Sequence, residues 1–313
     1  MKSLKNLAEA CPEEQSRFFS SFDHFLTDMD GVIWINYKPL PGAVEFINSL
    51  KKQGKKIRYI TNNGLASVGS IWNVLKKNKF DAEIDDLATP ITSGIAYLKQ
   101  ENIKKSIFAV GTKEFKEELR KAGLKVYPDP PQEIDEAIPS LLEHLRDDEN
   151  VGAVFFNFDP NLTFVKMQKM ATFLKRDDCH YITGPGDKYI PAGPLGPIIG
   201  NYHNIRCLDE ISGRKSTPIA KPSQFFADSI TERFGISDPK RVLFVGDSIP
   251  EDMNMAATAG FQKLLVLTGL ASIQDVRCWQ YPEEYKPEYY VESLDVLNNI
   301  LKSLNVQRET SSN

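Results

Sequence analysis

The sequence predicts an α/β protein, with a parallel sheet built from both ends of the chain and a smaller α/β domain inserted between them. Three observations carry this. Strand-like apolar runs alternate with helix-period segments from the start, which is the pattern of right-handed βαβ units. The same alternation resumes inside the stretch from about 105 to 213. At 313 residues, 41% of them hydrophobic, the chain has material for about two domains.

Taken in order, residues 23–28 read as the first strand, an apolar run that ends in two carboxylates, Asp28 and Asp30, before Gly31. Residues 41–53 follow as an amphipathic helix: Pro41 suits its first turn, Val44, Ile47 and Leu50 share a face, and Gly54 is placed for a left-handed C-terminal residue. Lys56–Ile60 is the second strand and runs into Thr61-Asn62-Asn63-Gly64. Within the insertion, Ser106–Val110 and Val151–Phe156 read as strands, and Lys113 to Ala122 and Lys166 to Lys175 as helices. Residues 127–138 are a Pro-rich acidic loop, 184–200 a Gly/Pro-dense stretch and 208–217 a polar segment. The last third supplies a helix from Ser223, its N-cap, to Phe234, then strands at Arg241–Val245 and Lys263–Leu267. Tyr285 to Tyr290 reads as an aromatic, charged surface or final-strand segment, and the polar last ten or so residues are expected to be disordered.

Lys+Arg 38 against Asp+Glu 42 gives a net charge of −4, so no basic balance points to nucleic acid or an anionic membrane surface. There is no apolar run of about 18 residues, and the start is too acidic and polar for a signal peptide. A cytoplasmic protein with a small-molecule partner is expected. Cys11, Cys179, Cys207 and Cys278 are far apart, with no CxxC; they read as buried or free thiols in a reducing compartment. The four histidines are isolated, and Trp34, Trp72 and Trp279 read as packing residues. The glycines of 184–200, Gly193 among them, fit turn chemistry, with a lid over a site as a second reading.

Four segments fall at predicted strand ends or helix starts: Asp28/Asp30, Thr61/Asn62, Lys221, and Gly246-Asp247 followed by Asp252. Together they meet the needs of phosphoryl transfer. An ionised Asp28 can attack phosphorus and become an aspartyl-phosphate. Asp28 and Asp247 can share a hard cation, and magnesium favours such a sparse carboxylate set. Asp30 can protonate the leaving oxygen and later deprotonate water. The Thr61 hydroxyl and the Asn62 backbone amide can hold non-bridging oxygens, while Lys221 neutralises charge. A calcium loop fails on spacing: with Asp28 and Asp30 as its first and third positions, Val32 falls where an oxygen ligand is needed and Gly31 comes two positions too early for the loop's glycine.

These motifs, in this order, resemble those of the haloacid dehalogenase superfamily of phosphatases. Asp28-Met-Asp30-Gly31-Val32-Ile33-Trp34, Tyr59–Asn63, Asn157-Phe158-Asp159 and Leu265–Gly269 are similar to the branch with a large α/β cap. That branch holds p-nitrophenylphosphatase-like enzymes, phosphoglycolate phosphatase and pyridoxal phosphatase. The resemblance implies a Rossmann-like core over 1–104 and 214–313 and a cap over 105–213. It implies Asp28 as nucleophile, Asp30 as acid/base, and Thr61, Asn62 and Lys221 as phosphate binders, with Asp187 binding substrate from the cap. Asp28, the Asp30 carbonyl and Asp247 would hold Mg2+, supported by Asp252. Small phosphorylated substrates and a homodimer through cap surfaces are implied as well.

The chain also departs from that pattern. Gly64-Leu-Ala-Ser67-Val68 puts valine where the family carries an arginine, and the cap loop is rewritten as Pro191-Ala-Gly-Pro-Leu-Gly-Pro197. These changes leave open an alternative, a phosphometabolite-binding module that keeps the fold without hydrolysis.

Overall fold

A computed structural model of the chain describes residues 4–191 and 196–311. Ala192 to Leu195, at the heart of the rewritten cap loop, therefore lie outside the described residues.

Two compact units emerge. The first draws on residues up to Thr61, Gly69–Ala88 and the chain from Lys221 onward; the second comprises Asn62–Val68 and Thr89–Ala220. In the first unit seven strands form one parallel sheet, in the order Lys5–Asn6, Tyr289–Val291, Gln262–Val266, Val242–Gly246, His24–Thr27, Lys56–Ile60, Leu87–Ala88. The central strands are buried at every position, because helices cover both faces of a parallel sheet. On one face Leu26, Ile60, Phe244 and Leu265 pack with Phe226, Ile230 and Met253. Elsewhere in this unit Phe25 meets Phe46 of the helix Ala43–Lys52 edge-on, ring centroids 5.7 Å apart.

That helix begins two residues after Pro41. Gly42 caps it at φ 72°, and a Cβ there would lie 2.6 Å from Asp295 Cα, so the expected proline at the first turn sits outside. The C-terminal expectation also needs correction, since residues Leu294–Ser311 form one helix. Leu294, Leu297, Leu301 and Leu304 are buried, which nucleates the helix, and a polar tail can propagate it at one hydrogen bond per added residue.

The second unit has its own parallel sheet, ordered Thr217–Pro218, His180–Thr183, Val151–Phe156, Ser106–Val110, and a two-stranded antiparallel hairpin, Tyr189–Pro191 with Pro197–Ile199. The segment expected to be merely polar from 208 belongs in part to the helix Tyr202–Ser212, which buries Ile205 and Leu208 and ends at Gly213. The unit reaches past both 105 and 213. Thr217 pairs with Ile182, and Gly94, on the helix Pro90–Gln100, has no room for a Cβ against the Phe155 ring, which would lie 2.3 Å away.

All four cysteines are free thiols, Cys179 alone being buried. Among the described residues no helix is long and apolar enough to cross a membrane.

Candidate active site

His24–Thr27 lies between Val242–Gly246 and Lys56–Ile60, with Thr27 in register with Val245 and Tyr59. Strand order reverses beside it, and in open parallel sheets the crevice outside the carboxyl ends at such a reversal is where ligands bind. Asp28 follows the first of these strands, Asp247 the second, and Thr61 the third.

Lys221 joins them. Its Nζ donates to Asp28 Oδ1 at 2.5 Å and to Asp252 Oδ1 at 2.7 Å. Ser248 caps the helical turn Ile249–Met253, which returns Asp252 to the strand end. There its Oδ2 accepts the amides of Asp247 and Ser248, each at 3.0 Å. Asp247 Oδ2 accepts the Leu270 amide at 2.7 Å. Carboxylate oxygens of Asp28, Asp247 and Asp252 lie within 4.8 Å of one another, all three residues being buried.

Two glycines make room for Asp247. A Cβ on Gly31, at φ 88°, would lie 2.5 Å from Asp247 Oδ2, and one on Gly269 would lie 1.8 Å from the same atom. Backbone thus closes on the carboxylate from two sides, where side chains would displace it.

Asp30 is half-buried, with Oδ1 accepting from Trp34 Nε1 at 3.0 Å. Burial raises its pKa, and the indole hydrogen bond pulls the other way. Thr61 is buried, its amide donating to Ala88 O at 3.1 Å. Within the second unit Asn62 Nδ2 lies 3.5 Å from Asp187 Oδ2. Val68, in the position of the absent arginine, starts the helix Val68–Lys77 and is buried.

The electrostatics favour a cation. Burial drives the pKa of Asp28 well above the carboxylate range; Lys221 opposes this, while Asp252 and Asp247 add to it. Asp247 is pushed up to about 7, by burial first and the Asp252 charge second. Burial works against the Lys221 ammonium, yet Asp252 and Asp28 hold its pKa above the ordinary value. Three buried carboxylates around this ammonium leave negative charge that a divalent ion fits, and oxygen-only donors suit a hard one.

Two family models match the chain: one described as haloacid dehalogenase-like hydrolase over residues 25–125, the other as HAD-hydrolase-like over 218–297. Both fall on the segments that build this cluster. The chain belongs to the haloacid dehalogenase-like hydrolases. Human glycerol-3-phosphate phosphatase is 26% identical over 295 residues, 90% of this chain and 92% of that protein. The 4-nitrophenylphosphatase of Schizosaccharomyces pombe is 27% identical over 289 residues, covering 90% and 95%. Among solved structures, the p-nitrophenyl phosphatase from Archaeoglobus fulgidus is 25% identical and matches with a TM-score of 0.74 over 89% of this chain and 99% of its own.

In this haloacid dehalogenase-like hydrolase three contributors escaped the sequence reading. The amides of Leu270 and Ser248 are backbone groups with no residue signature. Trp34 is 1% exposed and packs as expected, but its indole N–H also fixes Asp30. A tryptophan four residues after an acid, across a glycine turn, was the available signal.

Proposed function

We propose that the chain is a magnesium-dependent phosphomonoester hydrolase that works through an aspartyl-phosphate on Asp28 and takes small phosphorylated metabolites. The observation that carries this is the buried Asp28–Lys221–Asp252 ion-pair chain beside Asp247. Relatives named for glycerol 3-phosphate and 4-nitrophenyl phosphate support the substrate class.

Asp28, Asp247 and the Asp30 carbonyl would hold magnesium. Asp252 fits a supporting role, because both its oxygens already accept hydrogen bonds. When bound, the ion would offset repulsion between Asp28 and a phosphate dianion and polarise the phosphoryl oxygens.

An Asp28 oxygen attacks phosphorus as the bond to the leaving oxygen breaks, and Asp30 gives that oxygen its proton. Water then attacks the same phosphorus, Asp30 takes its proton, and the bond to Asp28 breaks to release phosphate. Thr61 and Asn62 hold non-bridging oxygens, and Lys221 supplies fixed positive charge without reorganisation. The second unit serves as the inserted cap, with Asp187 contributing to substrate choice.

The test is release of inorganic phosphate from p-nitrophenyl phosphate with and without chelator, followed by a screen of phosphorylated metabolites that includes 2-phosphoglycolate, pyridoxal 5′-phosphate and glycerol 3-phosphate. Activity that needs magnesium is expected. Phosphate binding without release would mark a binding module and sink the proposal. Asp30→Asn is expected to lower kcat by about 10²–10⁴-fold while the magnesium concentration for half-activation stays near the wild-type value, since only its carbonyl meets the ion. A variant that fails only by losing magnesium would contradict that division of roles.

A further inference from the structure

At the carboxyl edge of the second unit's sheet, Asn157 follows the strand Val151–Phe156 and is fully buried. Its Nδ2 donates to Gly64 O at 2.9 Å, and its Oδ1 accepts the Phe158 amide at 2.9 Å. Glycines make the socket. A Cβ on Gly64 would lie 2.4 Å from Asn157 Oδ1, and one on Gly184 would lie 2.5 Å from the same oxygen. Neither glycine has the left-handed backbone that would call for glycine by itself, so the missing side chains answer to Asn157. Two residues on, Asp159 is locked by Lys166 at 2.7 Å in a buried ion pair, which stiffens the turn carrying the asparagine.

We infer that Asn157 is a positioning residue: by holding the Gly64 carbonyl it fixes the loop Asn62–Val68, and through that loop the Asn62 amide that meets the substrate phosphate. The role of Asn62 in this statement rests on the phosphatase proposal. Thr112 Oγ1, bonded to Leu65 O at 3.0 Å, and Glu114, bonded to the Ser67 amide at 2.8 Å, hold the same loop further along at more exposed positions. Of these three supports Asn157 is the buried one, and an unpaired buried carbonyl costs more than an exposed one.

Asn157→Ala removes the donor. KM for p-nitrophenyl phosphate and the inhibition constant of inorganic phosphate are both expected to rise about tenfold. The kcat is expected to stay within about threefold, because a contact made equally in ground and transition state moves KM alone. A purely structural role would lower the folded fraction and leave KM unmoved. Gly64→Ala keeps Asn157 but drives a methyl group into it, and is expected to cost more affinity than Asn157→Ala. In Gly64→Ala/Asn157→Ala the clash is gone, and affinity is expected to return to the Asn157→Ala value.

An unchanged KM and phosphate inhibition constant in Asn157→Ala, or additive losses in the double variant, overturn the inference and leave the phosphatase proposal standing. Calorimetric titration with inorganic phosphate separates the opposite failure. A wild-type chain that binds phosphate without hydrolysing esters sinks the phosphatase proposal, and the ratio of phosphate affinities between wild type and Asn157→Ala still decides the role of Asn157.

Discussion

Asp28→Asn is expected to lower turnover of p-nitrophenyl phosphate by on the order of 10⁴–10⁶-fold, the scale seen when a covalent nucleophile is removed, with no fall in thermal midpoint. The amide oxygen of asparagine can still accept from Lys221 Nζ, which sits 2.5 Å from Asp28 Oδ1, but it does not attack phosphorus. The sign of the stability effect follows from the pKa. Burial raises Asp28 above its ordinary value despite Lys221, with Asp252 and Asp247 adding to the rise. A carboxyl group raised on folding destabilises the native state at pH values above its unfolded pKa. At neutral pH without metal the neutral asparagine avoids that cost, so calorimetry in chelator should give a midpoint equal to or above wild type. Turnover within tenfold of wild type would sink Asp28 as nucleophile, and a lowered midpoint would mean that activity is lost through unfolding.

That Asp28 stands out in the sequence alone reflects where the chain keeps its information. A strand buried on both faces reads as an apolar run, and the polar residue that ends it is conspicuous. Asp28, Thr61 and Asp247 all stand at such ends, and Lys221 just before a capped helix. The edges of the second unit were less legible for a physical reason. Asn62–Val68 joins that unit through bonds to Asn157, Thr112 and Glu114, residues 47 or more positions away, and no local pattern announces such partners. Gly31 and Gly269 could be read as glycines but not as the walls of a carboxylate socket, since the atom that excludes a side chain at each is Asp247 Oδ2. The C-terminal helix misled in the other direction: its last polar residues show no apolar period, and they are helical by continuation from Leu304.

The second large effect concerns Lys221, the group that makes three clustered carboxylates tolerable. Lys221→Met keeps chain length and removes the ammonium, leaving Asp28 Oδ1 and Asp252 Oδ1 without the donor each now has. The side chains of Lys221, Asp28 and Asp252 are 3%, 8% and 1% exposed, so water cannot replace the lost partner. Breaking a buried pair by deleting one member costs about 3–5 kcal/mol, which for a chain of this size lowers the midpoint by roughly 5–8 °C. Turnover is expected to vanish with it, because fixed charge at the phosphate is lost. Loss of activity alone would not separate chemistry from collapse, so the deciding variant is Asp28→Asn/Lys221→Met. Neutralising Asp28 removes one of the two charges that Lys221→Met strands, and the double variant should regain part of the lost midpoint despite carrying a second substitution. The coupling should reach about 1 kcal/mol or more, as expected for residues in one buried ion-pair network. If the double variant melts at or below Lys221→Met, the stability of this unit does not depend on charge balance at the strand ends, and the electrostatic case for a divalent ion there falls with it.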